Sequence, residues 1–219
     1  MKKSDVFNHF ILTRFNNGLY DKPDADEWMQ SRLELFQVTK ESVLSQTEDF
    51  KWVIAFDQRT PQAMVDYICD DERMIPFYGD IRNVTLDVST PFVITSRLDN
   101  DDIYLPGAIK AIQECFVPQI YVIDMDYEQF DSNTGERYTS GNKAKKQRYR
   151  LLNNGPFLSL IEPSERVMTC YCRPHTFLID GYPFEDRKKA IPSTKIGVYA
   201  RMIIHSENMM NKITGYKLK

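Results

Sequence analysis

The stretch Phe92-Val93-Ile94-Thr95-Ser96-Arg97-Leu98-Asp99-Asn100-Asp101-Asp102 decides how the rest of the chain is read. Phe92 to Thr95 is a short apolar run rich in β-branched residues, which reads as a buried strand, and it runs straight into a loop with acids at 99, 101 and 102. Beyond the loop, Leu105, Ala108, Ile109, Ile112 and Phe116 fall on one face of a helix, and Ile120-Tyr121-Val122-Ile123 reads as the next strand. Strand, loop, helix, strand is the unit of an α/β domain with a Rossmann-type, largely parallel central sheet flanked by helices.

Upstream the same alternation holds. Phe7 to Leu12 reads as a first strand, and Asp24 with Glu27 forms a capping-box pattern just after Pro23. The helix this opens carries Trp28, Leu35 and Phe36 on one face, with Met29 and Leu33 beside them. Trp52 to Phe56 reads as a buried strand ending at Asp57, and Thr60-Pro61 starts a second helix running to about Cys69. Ligands of open α/β sheets gather at the carboxyl ends of the strands, so the segments ending at Arg14, Asp57 and Asp99 are where a site is expected.

From about residue 126 the pattern changes to short strands, polar turns and the basic run Lys143-Ala144-Lys145-Lys146-Gln147-Arg148-Tyr149-Arg150. No Pro/Gly/Ser linker separates the two parts, so one domain over 1–219 is expected, with halves 1–125 and 126–219. Charge runs repel and seldom pack, which makes the basic run a solvated loop or an anion-gripping flap over a phosphate.

The composition is that of a folding chain: 42% hydrophobic residues, 27% charged, with 13 Phe and 12 Tyr among 219 residues. A net charge of -3 argues against general nucleic-acid binding. Four scattered cysteines and the lack of a signal-type segment favour a reducing, cytoplasmic setting. No apolar run approaches the ~20 residues of a membrane span, so the chain is not expected to be an integral membrane protein.

The acidic loop carries the chemistry. A divalent cation such as Mn or Mg, held by few carboxylates, leaves positions for phosphate oxygens and stabilises a departing diphosphate. Asp99 and Asp101 suit that task, and Asp102 is either a spare ligand or a helix cap. Cys170-Tyr171-Cys172 with His175 fits zinc spacing poorly, and reads instead as two core cysteines on one face of a strand.

The run Thr95 to Asp102 resembles the signature of a rhamnosyltransferase family of bacteria and phages, assigned to the GT-A glycosyltransferase fold. Phe10 to Asn16 fits it too, as do Trp28, Arg32, Leu35 and Phe36, Ser42 to Thr47, Phe50-Lys51-Trp52, Ser159 to Glu162, and His205 with Asn208. The resemblance implies transfer of a sugar, rhamnose by the family label, from a nucleotide-diphosphate sugar to a glycan, lipid-linked or other acceptor hydroxyl, with Mn2+ or Mg2+. It places Thr13 and Arg14 under the nucleotide, Asp57 near the base or ribose, and Arg97 beside the diphosphate. Asp99 then meets donor and metal, Asp101 ligates the metal, and His205 completes the site once the apolar stretch 198–204 returns to the core. An inverting enzyme also needs a carboxylate base, for which Glu162 is the first candidate, with Asp180 and Glu185 behind it. Two other readings stay open: a metal-dependent nucleotidyltransferase or phosphohydrolase, and a nucleic-acid-binding accessory protein acting through residues 143–150.

Overall fold

In the computed structural model, which describes residues 5–139, 155–172, 191–205, 213 and 215–218, β1 (Phe7–Arg14) sits inside the parallel part of a single sheet. β2 (Lys51–Phe56) pairs with it on one side and β4 (Phe92–Arg97) on the other, both parallel. All three are buried on both faces over most of their length and are built around short apolar runs, the pattern of parallel strands covered on both sides. β3 (Met74–Tyr78) extends the sheet beyond β2. It escaped the sequence reading because Pro76 interrupts it, and proline is tolerated on such an edge strand.

After β4 the expected topology fails. β6 (Tyr121–Asp131) is not the neighbour of β4, because β8 (Leu158–Pro163) slots antiparallel between them. β7 (Glu136–Thr139) folds back on β6, while β9 (Ser193–Ile204) runs parallel along its other edge and β5 (Ile103–Tyr104) closes the sheet antiparallel to β9. The order is β3-β2-β1-β4-β8-β6-β9-β5, with β7 on β6, so the sheet is mixed rather than largely parallel. The sequence shows apolar stretches in β8 and toward the end of β9 but not that they return between and beside earlier strands.

Among the described residues helices do not flank both faces either. Met29, Phe36 and Val43 of α1 (Ala25–Leu44), Val65 and Ile68 of α2 (Gln62–Ile68), and Ala108, Ile109 and Ile112 of α3 (Ala108–Glu114) pack in one cluster with Ile11, Trp52, Ile54 and Ile94. The opposite face, with Phe10, Leu12, Val53, Val93 and Leu160, is covered among the described residues by Ile81, Cys170, Tyr171 and Ile191. The loop-covered face is therefore the one where side chains from irregular segments meet strand ends. Among the described residues no helix is long and apolar enough to cross a membrane.

α1 starts where Asp24 predicts, but the capping box does not form. Asp24 has φ −102 and ψ 31, outside the extended conformation that turns an N-cap side chain toward the first turn, and it makes no side-chain cap bond. Pro61 sits at the N-cap of α2, one residue earlier than expected. The buried face of α1 also holds Arg32, Thr39 and Lys40, which sequence periodicity alone would not place in a core.

A buried polar chain crosses the helix-covered face. His9 Nε2 lies 2.7 Å from Ser96 Oγ, which lies 2.6 Å from Ser159 Oγ, and the Gln113 amide approaches His9 Nδ1 at 3.4 Å. Because the Gln113 amide can only donate, His9 Nδ1 accepts and Nε2 carries the proton toward Ser96. Burial holds the His9 imidazole down at about 3. The unfolded chain, with a histidine near 6.5, thus takes up a proton that the fold refuses. His9's contribution is fully present above about pH 6.5 and is lost as pH falls toward 3, by up to about 1.4 kcal/mol per pH unit. Urea unfolding at pH 7, 6, 5 and 4 is expected to show a steeper loss for the wild type than for His9→Gln, which has no proton to gain; parallel curves would remove His9 as the cause.

Candidate functional site

β1 and β4 run side by side with Leu12 opposite Arg97, and Arg14 lies two residues beyond Leu12 on the same side of the pleat. The last residues of two neighbouring parallel strands are therefore both arginines on the loop-covered face. They meet over one ring: the Arg14 guanidinium is 5.4 Å and the Arg97 guanidinium 5.0 Å from the Tyr171 centroid. Arg97 also contacts Asp99 at 3.3 Å, long for a charge-assisted bond, whose optimum is about 2.7–2.9 Å.

Tyr171 is delivered by a loop that is clamped and strained. Thr169 has φ 66, a left-handed conformation that a β-branched residue adopts only when its surroundings force it. Glu162 supplies that force: it is fully buried, and its carboxylate oxygens accept the N–H groups of Met168 at 2.8 Å and Thr169 at 2.9 Å. The Cys170 N–H donates to Thr95 Oγ1 at 2.9 Å. This corrects the assignment of Glu162 as an acceptor base, since a carboxylate sealed beneath the loop by backbone amides cannot meet a substrate hydroxyl. It corrects the strand reading of 170–172 as well, because Cys170 and Tyr171 lie in a turn and Cys172 in a bend.

The acidic loop is pinned by the residue between its acids. Asn100 is buried and donates to the Phe15 carbonyl at 2.6 Å, while Thr39 of α1 donates to the Asn100 carbonyl at 3.2 Å. Each acid then has its own compensation. Asp101 Oδ2 meets Arg32 Nη1 at 2.6 Å and His205 Nε2 at 3.1 Å. Burial pushes the Asp101 carboxyl up, but the His205 hydrogen bond and the Arg32 charge outweigh it and hold it below the usual carboxylate range. Asp102 is buried and accepts the Ile203 N–H of β9 at 3.0 Å. Desolvation, then the charges of Asp101 and Asp99, push its carboxyl well above the ordinary range. Asp99, a third exposed, is the acid open to a ligand.

The remaining expected site residues divide. His205 does arrive at Asp101, because β9 passes the loop and ends at Ile204. Thr13 does not reach the crevice: it is fully buried on the helix-covered side, and its Oγ1 accepts the Trp52 indole N–H at 2.9 Å. Asp57 is clamped by Arg59 at 2.9 Å through each of its oxygens and accepts the Gly18 N–H, and the Arg59 hydrogen bonds hold its carboxyl far below the usual range. It joins two loops rather than standing open to a nucleotide. Asp180, Glu185, His175, Asn208 and the run 143–150 lie outside the described residues.

The donor set does not fit the expected divalent cation. The same oxygen of Asp101 that would ligate the ion carries the Arg32 guanidinium, and Asp102 is engaged by backbone. Among the described residues, no group of three or more His, Cys, Asp or Glu side chains is arranged to hold a metal. Arg32 stands in the place the ion was expected to take. Sequence reasoning missed this pairing, though an arginine three residues after buried Met29 and four before buried Phe36 was a visible signal. Tyr171 left no such signal, since only the fold brings it beneath the two arginines.

No family model matches the sequence, and no curated protein matches it. Solved structures with a similar fold include 4-diphosphocytidyl-2C-methyl-D-erythritol synthase from Anaerococcus prevotii DSM 20548, at TM-score 0.48 and 12% identity over 90% of each chain. Another is the inositol-1-phosphate CTP transferase from T. maritima, at TM-score 0.41 and 8% identity over 92% of this chain and 93% of that one. These names concern cytidylyl compounds and CTP transfer. The expectation of metal-dependent sugar transfer from a nucleotide-diphosphate sugar is corrected on the chain's own residues, since Arg32 and the backbone of β9 take the carboxylates that were to hold the cation. The likeness is one of general fold.

The clamp makes Glu162 a stability residue. Glu162→Ala leaves two buried amides unpaired and is expected to cost about 2–5 kcal/mol, with Glu162→Gln falling between it and the wild type because one oxygen still accepts. Chemical denaturation checks the order; a Glu162→Ala variant as stable as the wild type would show that the loop does not depend on it.

Proposed function

We propose that this chain is a nucleotidyltransferase that binds a nucleoside triphosphate at the carboxyl ends of β1 and β4. The observation that carries the reading is the pair Arg14 and Arg97, which end adjacent parallel strands over the one Tyr171 ring. In open α/β sheets this crevice is where ligands bind, and two planar guanidiniums match phosphate oxygens in charge and geometry.

In the reaction an oxygen nucleophile of the acceptor attacks the α-phosphorus, the bond from that phosphorus to the bridging oxygen breaks, and pyrophosphate leaves with the electron pair. Arg14 and Arg97 hold the charge that grows on the phosphate oxygens, a role worth about 100- to 1000-fold in rate for one preorganised donor. Arg97 is nearly buried, so its charge acts with little screening by water. Asp99 beside it orients the guanidinium and faces the crevice. Arg32, Asp101 and His205 keep the loop in place from beneath.

The test supplies each of the four ribonucleoside triphosphates as its magnesium complex, with a set of phosphomonoester and polyol acceptors, and measures pyrophosphate release. Pyrophosphate is expected with at least one pair, and Arg97→Gln should lower kcat/KM about 100-fold while Asp57→Asn, whose carboxylate is taken up by Arg59, has a much smaller effect. Release of orthophosphate alone, or no nucleotide consumption with any acceptor, would set the reading aside.

A further inference from the structure

We propose that Tyr171 is the third donor of an oxyanion subsite, presented by the strained loop 167–172 and placed there by Glu162 acting as a positioning residue. The assignment of pyrophosphate as the bound anion rests on the nucleotidyl-transfer reading; the subsite itself rests on geometry.

Three independent observations converge on it. Tyr171 is 5% exposed, yet among the described residues its hydroxyl has no hydrogen-bond partner. Buried polar groups are normally satisfied, and an orphaned donor beside a charged crevice marks the place of an absent acceptor. Both guanidiniums lie over the same ring, so Tyr171 borders both of the cations that would draw an anion. Finally, the strain at Thr169 is confined to the turn that carries Tyr171, and a fully buried carboxylate and the Thr95 hydroxyl hold it there. Backbone strain persists only where surrounding contacts enforce it, and here those contacts fix Tyr171 between the ends of β1 and β4.

The ligand class follows from the donors. Two guanidinium forks, which have no acceptor, and a neutral phenol, whose O–H can donate, present many N–H groups and one O–H, which suits an anion with several oxygens in three dimensions. Burial pushes the Tyr171 phenol up, so it remains a protonated donor at neutral pH. A phosphate or pyrophosphate group satisfies all three.

The experiment titrates inorganic pyrophosphate into the full chain by calorimetry, for the wild type, Tyr171→Phe and Glu162→Gln, and records the melting temperature of each without ligand. Tyr171→Phe keeps the ring beneath the arginines and removes only the hydroxyl. It is expected to bind pyrophosphate about tenfold more weakly, while its ligand-free melting temperature stays equal or rises because an unsatisfied buried group is gone. A merely structural tyrosine would not give that opposite pair of shifts. Glu162→Gln is expected to weaken pyrophosphate binding as well, and the double variant to be less affected than the two single losses combined, since both act through one hydroxyl. Unchanged pyrophosphate affinity in Tyr171→Phe, or no binding by the wild type, overturns the subsite. Pyrophosphate binding that Tyr171→Phe weakens, in a protein that releases no pyrophosphate from any triphosphate, upholds the subsite and removes nucleotidyl transfer. Pyrophosphate release with unchanged Tyr171→Phe affinity does the reverse.

Discussion

Three carboxylates within four residues at the end of a buried strand are a charge problem that the rest of the molecule is arranged to solve. Like charges this close cannot all remain ionised in a poorly solvated place, so each needs its own remedy. Arg97 of β4 neutralises Asp99, Arg32 of α1 and His205 beyond β9 hold Asp101, and the backbone of β9 serves Asp102, whose carboxyl is pushed toward the protonated form. The first helix, the fourth strand and the last strand are thereby tied to one turn of chain. Breaking a buried ion pair by removing one partner typically costs about 3–5 kcal/mol, so this junction is a constraint on the fold as much as a feature of the site.

The same junction explains why the two faces of the sheet differ. The helix-covered face is closed by large apolar side chains and by the neutral chain from His9 to Ser159, which needs no solvent. The loop-covered face holds the strand-end arginines and the turn beneath them. Side chains alternate along a strand, so Thr13 faces the helices while Arg14 faces the crevice, and adjacent residues have opposite fates. Rigidity on one side lets the other present charged groups at fixed spacing, which is the preorganisation that binding a polyanion demands.

Asp-x-Asp motifs owe their association with divalent cations to two carboxylates facing one point. An arginine held at that point meets the same electrostatic need without an ion. Arg32 stacks against Trp28 at 4.7 Å while it bonds Asp101, so its planar group is fixed by packing as well as by charge. A loop written with identical acids can thus be a metal site or an internal salt bridge, and the difference lies on a helix some 70 residues away.

What the sequence by itself determined is the local order of the chain. β1, β2 and β4 are built around short apolar runs, which burial on both faces accommodates, and the helices that follow them show their periodicity and, at Asp24 and Pro61, their starting points. That Arg14 and Arg97 stand at strand ends was legible for the same reason, since each closely follows an apolar run. Sheet order beyond β4 was not, because β8 and β9 are apolar wherever they are inserted, and hydrophobicity carries no address. Nor could sequence show that Glu162 is sealed under a strained turn, that Thr13 faces Trp52, or that Tyr171 lies beneath two arginines. Those are contacts between residues far apart in the chain, and only tertiary packing, by fixing which groups lose water and which partner replaces it, decides whether an acid is a base, a ligand or a clamp.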